Sequence, residues 1–183
     1  MLAQWLFKAN DFKSALEVVE DEFLKIKILL QDDQNDVAYE MLEKIPYSKL
    51  QDAGKKNFYI LKAQYNYNKG LYQEALEEIE NYLIISKPDA VSFQIKALIY
   101  EELKDDFSAY LNWAFCKKLM GKIDEAIVEF ENAYKVNPKD KTVLVELAQL
   151  YEKNKERFVS IEYWERVYAL DNDKQAQEIL AEF

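Results

Sequence analysis

The chain has 183 residues, half of them apolar, with three Gly, three Pro, one Cys and no His. That is enough apolar material for one packed domain and too few turn formers for a sheet protein with many tight turns. Without His there is no charge-relay triad or His-based zinc site, and a single Cys allows neither an internal disulfide nor a Cys cluster. A net charge of −10 disfavours nucleic acid and anionic membrane surfaces; its first reading is solubility, and its sharper one a basic or amphipathic protein partner.

Ala, Leu, Glu, Lys and Gln fill the sequence, and these favour helix. No run approaches the roughly 18–20 apolar residues of a membrane span. The first residues, MLAQWLFKANDF, lack the basic start and the long apolar stretch of a signal peptide. A cytoplasmic location is therefore expected. Met1 falls inside a helical pattern, so a larger parent protein is expected too.

Residues 1–9 predict a shortened helix and Asn10-Asp11 a turn. Phe12, Ala15, Leu16 and Val19 then form the apolar side of a second helix, from about 12 to 22. Residues 23–45 predict a compressed pair, FLKIKILL and VAYEMLEKI, around the polar turn QDDQND. Asp36 is the candidate cap of the later helix, and Pro46 ends it. QDDQND lacks the alternation, central Gly and closing Glu of a calcium loop. Residues 47–55, which contain Gly54, predict a loop.

Residues 56–89 predict a fuller pair. Tyr59 and Ala63 lie on its first helix, Gly70 at the turn, and Tyr72, Ala75, Leu76 and Ile79 on its second. Asn68-Lys69-Gly70 forms the C-terminal cap, since Gly tolerates the left-handed backbone. Residues 90–123 place Phe93, Ala97 and Tyr100 on one helix and Ala109, Trp113 and Cys116 on the next, with Cys116 a small core residue. Ala75 to Ala109 is 34 residues, but Ala75 to Ala126 is 51, one and a half repeats. Helix 107–120 thus matches both the second helix of one repeat and the first of the next. Either residues 89–120 are one long helix, or the array changes phase near residues 104–107. Lys104-Asp105-Asp106 interrupts the apolar stripe and favours the break.

The overlapping segment 107–140 holds the clearest unit, Tyr110 to Pro138. Ala114, Ala126 and Ala133 sit where two helices must touch, with Tyr110, Trp113, Ile123, Ile127 and Phe130 beside them, Gly121 at the turn and Pro138 at the end. Residues 141–174 repeat it with Leu144, Leu147, Ala148 and Tyr151, then Ser160, Trp164 and Val167. Asp173 is placed to cap a final helix over residues 174–183.

This pattern of Tyr110, Trp113, Ala114, Gly121, Ala126, Phe130, Ala133 and Pro138 resembles the tetratricopeptide repeat, a helix–turn–helix unit of about 34 residues. Lys117 departs from it, standing where the family usually has Tyr. The resemblance is strong over 56–89 and 107–174 and weak over 1–50. It implies an all-α fold: a right-handed α-solenoid of antiparallel helix pairs in one domain, 1–183. It also implies a non-enzymatic scaffold that binds a peptide or helix of a partner in a concave groove lined by first helices, within a larger complex. By position, the groove candidates are Asn57, Ile60, Gln64, Tyr67 and Asn68 in one unit. In the next they are Leu111, Asn112, Phe115 and Lys118, and in the last Thr142, Val145, Gln149 and Glu152.

Each candidate set mixes amides with apolar side chains, suited to a peptide backbone and its apolar anchors. For Leu111 and Phe115 the alternative is packing against a neighbouring helix. The carboxylate clamp of chaperone-binding members is not expected, because its lysine positions hold Ile60, Leu111 and Val145, and Asn112 alone resembles a clamp residue. No phosphate-cradling Gly motif occurs, and the Asp pairs lie in predicted turns, so no cofactor and no metal are expected. The alternative function is a structural spacer or self-associating segment with no peptide ligand.

Overall fold

The structure, a computed structural model, describes residues 1–182. Over these residues it has twelve α-helices: α1 Leu2–Lys8, α2 Phe12–Val18, α3 Glu22–Gln31, α4 Asn35–Lys44, α5 Asp52–Asn68, α6 Tyr72–Ile85, α7 Ala90–Glu102, α8 Asp106–Leu119, α9 Ile123–Val136, α10 Lys141–Lys153, α11 Arg157–Asp171 and α12 Lys174–Ala181. No strand occurs among the described residues. They pack as two compact units, Met1–Pro88 and Asp89 onward. Each unit is a stack of antiparallel helix hairpins, a short stretch of α-solenoid.

One turn closes six of the hairpins. A single left-handed residue follows the first helix: Asn10, Asp33, Gly70, Lys104, Gly121 or Lys155, with φ between 58° and 75°. The next residue's N–H donates to the carbonyl five positions back, at 2.8–3.0 Å in every case. This is the Schellman closure, which uses carbonyls that the helix end leaves unpaired. The same frame fixes the packing. Seven residues before the left-handed position stand Ala3, Ile26, Ala63, Ala97, Ala114 and Ala148; five after it stand Ala15, Ala38, Ala75, Ala109, Ala126 and Ser160; all are buried. In every hairpin but α3–α4, where Ile26 stands, small side chains at both places let the two helix axes approach closely. Ser160 keeps this role by donating its hydroxyl to the Ala148 carbonyl at 2.9 Å.

The other connections range from two to seven residues, and an Asp closes four of them. Asp21, Asp89, Asp140 and Asp173 each accept from a backbone N–H three residues on, at 2.6–2.9 Å. The two kinds of turn alternate along the chain except at α8, which carries a Schellman turn at each end. Its small residues, Ala109 and Ala114, are five positions apart, about 140° around a helix. α8 therefore packs on α7 through one side and on α9 through another. The half-repeat offset in the sequence is this doubly used helix. The chain breaks between Glu102 and Asp106, as the charged triplet there predicts.

Three expectations are corrected. Residues 47–55 are not an open loop: they hold a 3₁₀ turn, Tyr47–Lys49, and the first turn of α5. Gly54 sits inside that helix because Leu50 lies where its side chain would be, 3.1 Å from an added Cβ. The second helix ends at Val18, not near 22, because Asp21 already caps α3. Asp36 is not a cap. Gln34 holds the N-cap position without a side-chain bond, and Asp36 pairs with Lys69 at 2.9 Å.

Candidate protein-interaction face

The repeated frame gives the first helices a repeated outward face. On α5, Asn57, Ile60 and Gln64 stand six and three residues before the buried Ala63 and one after it; on α10, Thr142, Val145 and Gln149 stand in the same register to Ala148. At these spacings the three side chains share one side of a helix. Asn57, Thr142 and Gln149 are exposed, while Ile60, Gln64 and Val145 are half-buried. The side chains of Asn57, Gln64, Thr142 and Gln149 hydrogen-bond to no other described residue. Glu152, exposed at the end of α10, continues that side.

The remaining sequence candidates are engaged in packing. The Tyr67 ring leans on Tyr72 at 5.9 Å. The Asn68 amide donates to the Leu30 carbonyl at 3.0 Å and to Asn35 Oδ1 at 2.8 Å, tying α5 to the α3–α4 turn. On α8, Leu111 packs against the core of the second unit. Asn112 is buried and donates to the Ser108 carbonyl of its own helix at 2.7 Å. Phe115 stacks on Phe93 of α7 at 5.2 Å and meets Phe130 of α9 edge-on at 5.2 Å. Lys118 forms a close ion pair with Glu146 of α10. Because α8 serves two hairpins, α7 and α9 occupy the surroundings that α5 and α10 leave open.

A polar aromatic seam in the second unit escaped sequence reading. Glu131 of α9 accepts from Tyr151 of α10 at 3.0 Å and from Tyr163 of α11 at 2.6 Å. Arg166 covers the rings of Tyr134 and Tyr163, 5.3 and 5.2 Å from their centroids. Burial first, and the Glu131 carboxylate second, push the Tyr151 phenol up to about 12. The same two causes push Tyr163 well above the usual tyrosine range. Abundant Tyr was the one available signal. Cys116 is buried, and that burial raises its thiol, the opposite of an activated nucleophile. No metal-binding cluster of His, Cys, Asp or Glu occurs among the described residues, and none of their helices is long and apolar enough to cross a membrane.

No protein-family model matches the chain, and no curated protein matches it in sequence. Among solved structures the chain is similar to tetratricopeptide-repeat (TPR) proteins. YrrB, described as a TPR protein with an unusual peptide-binding site, shares 16% identity over 94% of this chain and 98% of that one, with a TM-score of 0.40. The C-terminal part of a TPR repeat-containing protein from Cytophaga hutchinsonii shares 20% over 81% of this chain and 64% of that one, with a TM-score of 0.45. MamA shares 14% over 91% and 100%, with a TM-score of 0.41. The helical-repeat architecture itself rests on the six hairpins and their common frame.

Proposed function

We propose that this chain is a non-enzymatic protein-interaction scaffold, and that the first-helix face of α5 in one unit and that of α10 in the other each hold an extended peptide or a helix of a partner. The carrying observation is the repeated set Asn57/Ile60/Gln64 and Thr142/Val145/Gln149, in one register to a buried Ala and with its polar members unbonded. An amide can donate to and accept from a peptide backbone, while Ile60 and Val145 offer apolar contact. α8 contributes little to this face, since Phe115 and Asn112 are taken up inside the fold.

The test is capture from source-cell lysate by the immobilised chain, comparing wild type with an Asn57→Ala/Gln64→Ala/Gln149→Ala variant. The expected result is a partner retained by wild type and lost by the variant, with helical circular dichroism unchanged. Equal retention by both would sink the first-helix face. No partner at all would favour the spacer.

A further inference from the structure

The first-helix face carries opposite charge in the two units. On each first helix it takes in the places three before the buried reference residue and one, four and five after it, which share one side of a helix. The reference is Ala3, Ile26 or Ala63 in the first unit and Ala97, Ala114 or Ala148 in the second. In the second unit these places hold Glu101, Glu102 and Glu152 beside Lys118 and Lys153, and Lys118 is already paired with Glu146. In the first unit they hold Lys8 and Lys27 and no Asp or Glu.

Both lysines are exposed, and neither pairs with a carboxylate among the described residues. They belong to one surface. The Lys27 ammonium of α3 lies 5.6 Å from the centre of the Phe7 ring of α1, next to Lys8, and Asn68 of α5 donates to the Leu30 carbonyl of α3 at 3.0 Å. Gln4, Gln31 and Gln64 stand at places of the same face on α1, α3 and α5. The chain's net charge of −10 has the other sign. Charges more than about 10 Å away are largely screened at ordinary salt, however, so a segment lying on this face meets the two lysines first.

We propose that the first-helix face of the first unit selects an acidic segment of a partner protein, held extended, with one carboxylate on Lys8 and another on Lys27. The inference rests on the first-helix reading above and names the ligand class for that unit. Neighbouring helix axes lie about 8–10 Å apart and an extended chain rises about 3.3 Å per residue, so the two carboxylates stand about three residues apart. The glutamines meet the backbone between them. A longer polyanion fits less well, since two cations answer two charges and the acidic remainder of the chain repels the rest.

The probe is the end-blocked peptide GEPLEG, whose Pro disfavours helix, titrated into the isotope-labelled full chain and followed by amide NMR. Saturable shifts in α1, α3 and α5 are expected. The neutral GQPLQG and the basic GKPLKG should bind about tenfold or more weakly, and so should GEPLEG to a Lys8→Gln/Lys27→Gln chain. The comparison of peptides uses the wild-type chain, so it stands if the double variant misfolds. Equal binding of all three peptides across α1, α3 and α5 would keep the first-helix face and overturn its acidic preference. Shifts confined to the second helices would sink the face as well. No saturable shift with millimolar GEPLEG overturns the proposal, whereas capture by the Asn57→Ala/Gln64→Ala/Gln149→Ala chain decides the first-helix reading separately. Tighter binding of a short oligothymidine, or shifts that grow with protein concentration alone, would assign the face to nucleic acid or to a second copy and overturn the proposed occupant.

Discussion

Nine residues past the left-handed turn, four of the six second helices carry a fully buried side chain. In the first unit those knobs are Leu42 and Ile79; in the second they are Phe130 and Trp164, all buried. Seams between successive hairpins differ in the same way. The first unit ties α5 to the α3–α4 turn with Asn68, Asn35 and the Lys69–Asp36 pair, near the ends of helices. The second unit joins α9, α10 and α11 along their sides through Tyr134, Tyr151, Tyr163, Glu131 and Arg166. The hairpin is thus the common unit, and what varies is the material between hairpins.

The largest expected effects test the knobs. Phe130→Ala or Trp164→Ala should cost about 3–5 kcal/mol, and Leu42→Ala or Ile79→Ala less, about 2–3 kcal/mol. Urea unfolding followed by circular dichroism measures both. Equal losses at all four positions would break the comparison, because they would mean that ring size adds nothing to the second core.

Next come the seams. Glu131→Ala leaves the hydroxyls of the buried Tyr163 and the half-buried Tyr151 without their acceptor and should cost about 2–3 kcal/mol. Asn68→Ala removes two hydrogen bonds at a partly exposed turn and should cost about 1–2 kcal/mol. Hydrogen exchange should localise each loss to its own unit. A Glu131→Ala effect below that of Asn68→Ala would reverse the ranking of side seam over end tie.

Alkali probes the same seam. The folded chain holds the Tyr151 phenol at about 12, above its ordinary 10.0, so folding favours the protonated phenol. The stability this gives is complete below pH 10 and is lost as pH rises from 10 through 12. Phenolate absorbance and the melting temperature should therefore change together in that window. Glu131→Gln should lower the titration of Tyr151 without returning it to the ordinary value, because burial, the larger cause, stays. An unaltered titration would show that the carboxylate contributes nothing.

Sequence spacing was most informative where Gly or Ala marks a turn or a helix crossing. Gly70, Gly121 and the alanines at 63, 75, 97, 109, 114, 126 and 148 were readable because steric demands there admit few residue types. The break near Lys104 was readable from interrupted apolar periodicity. Gly54 misled, because the residue that gains from its missing side chain, Leu50, is known only from packing. For the candidate face, register alone placed Asn57, Gln64, Thr142 and Gln149. Register could not show that Phe115, Asn112 and Asn68 are consumed by neighbours. The Glu131 seam joins residues 20 and 32 positions apart, and no local pattern announces such a pairing.

The smallest effect concerns the turns themselves. Lys104 and Lys155 occupy the left-handed region at φ 60° and 64°, where Gly70 and Gly121 stand at 74° and 75° in equivalent turns. An L residue pays roughly 1–2 kcal/mol there through its Cβ, partly offset because Gly is freer in the unfolded chain. Lys155→Gly should thus stabilise the second unit by about 0.5–1 kcal/mol, and Gly121→Lys should destabilise it by a similar amount. A Cβ added at Gly121 meets no atom within 4 Å, so the cost is conformational and not a clash. The double variant, exchanging the two residues between turns, should then melt close to wild type. A clear net loss would mean that the two Schellman turns are not interchangeable, and that the one ending α8, which holds a helix between two partners, is under a demand that the α10–α11 turn does not share.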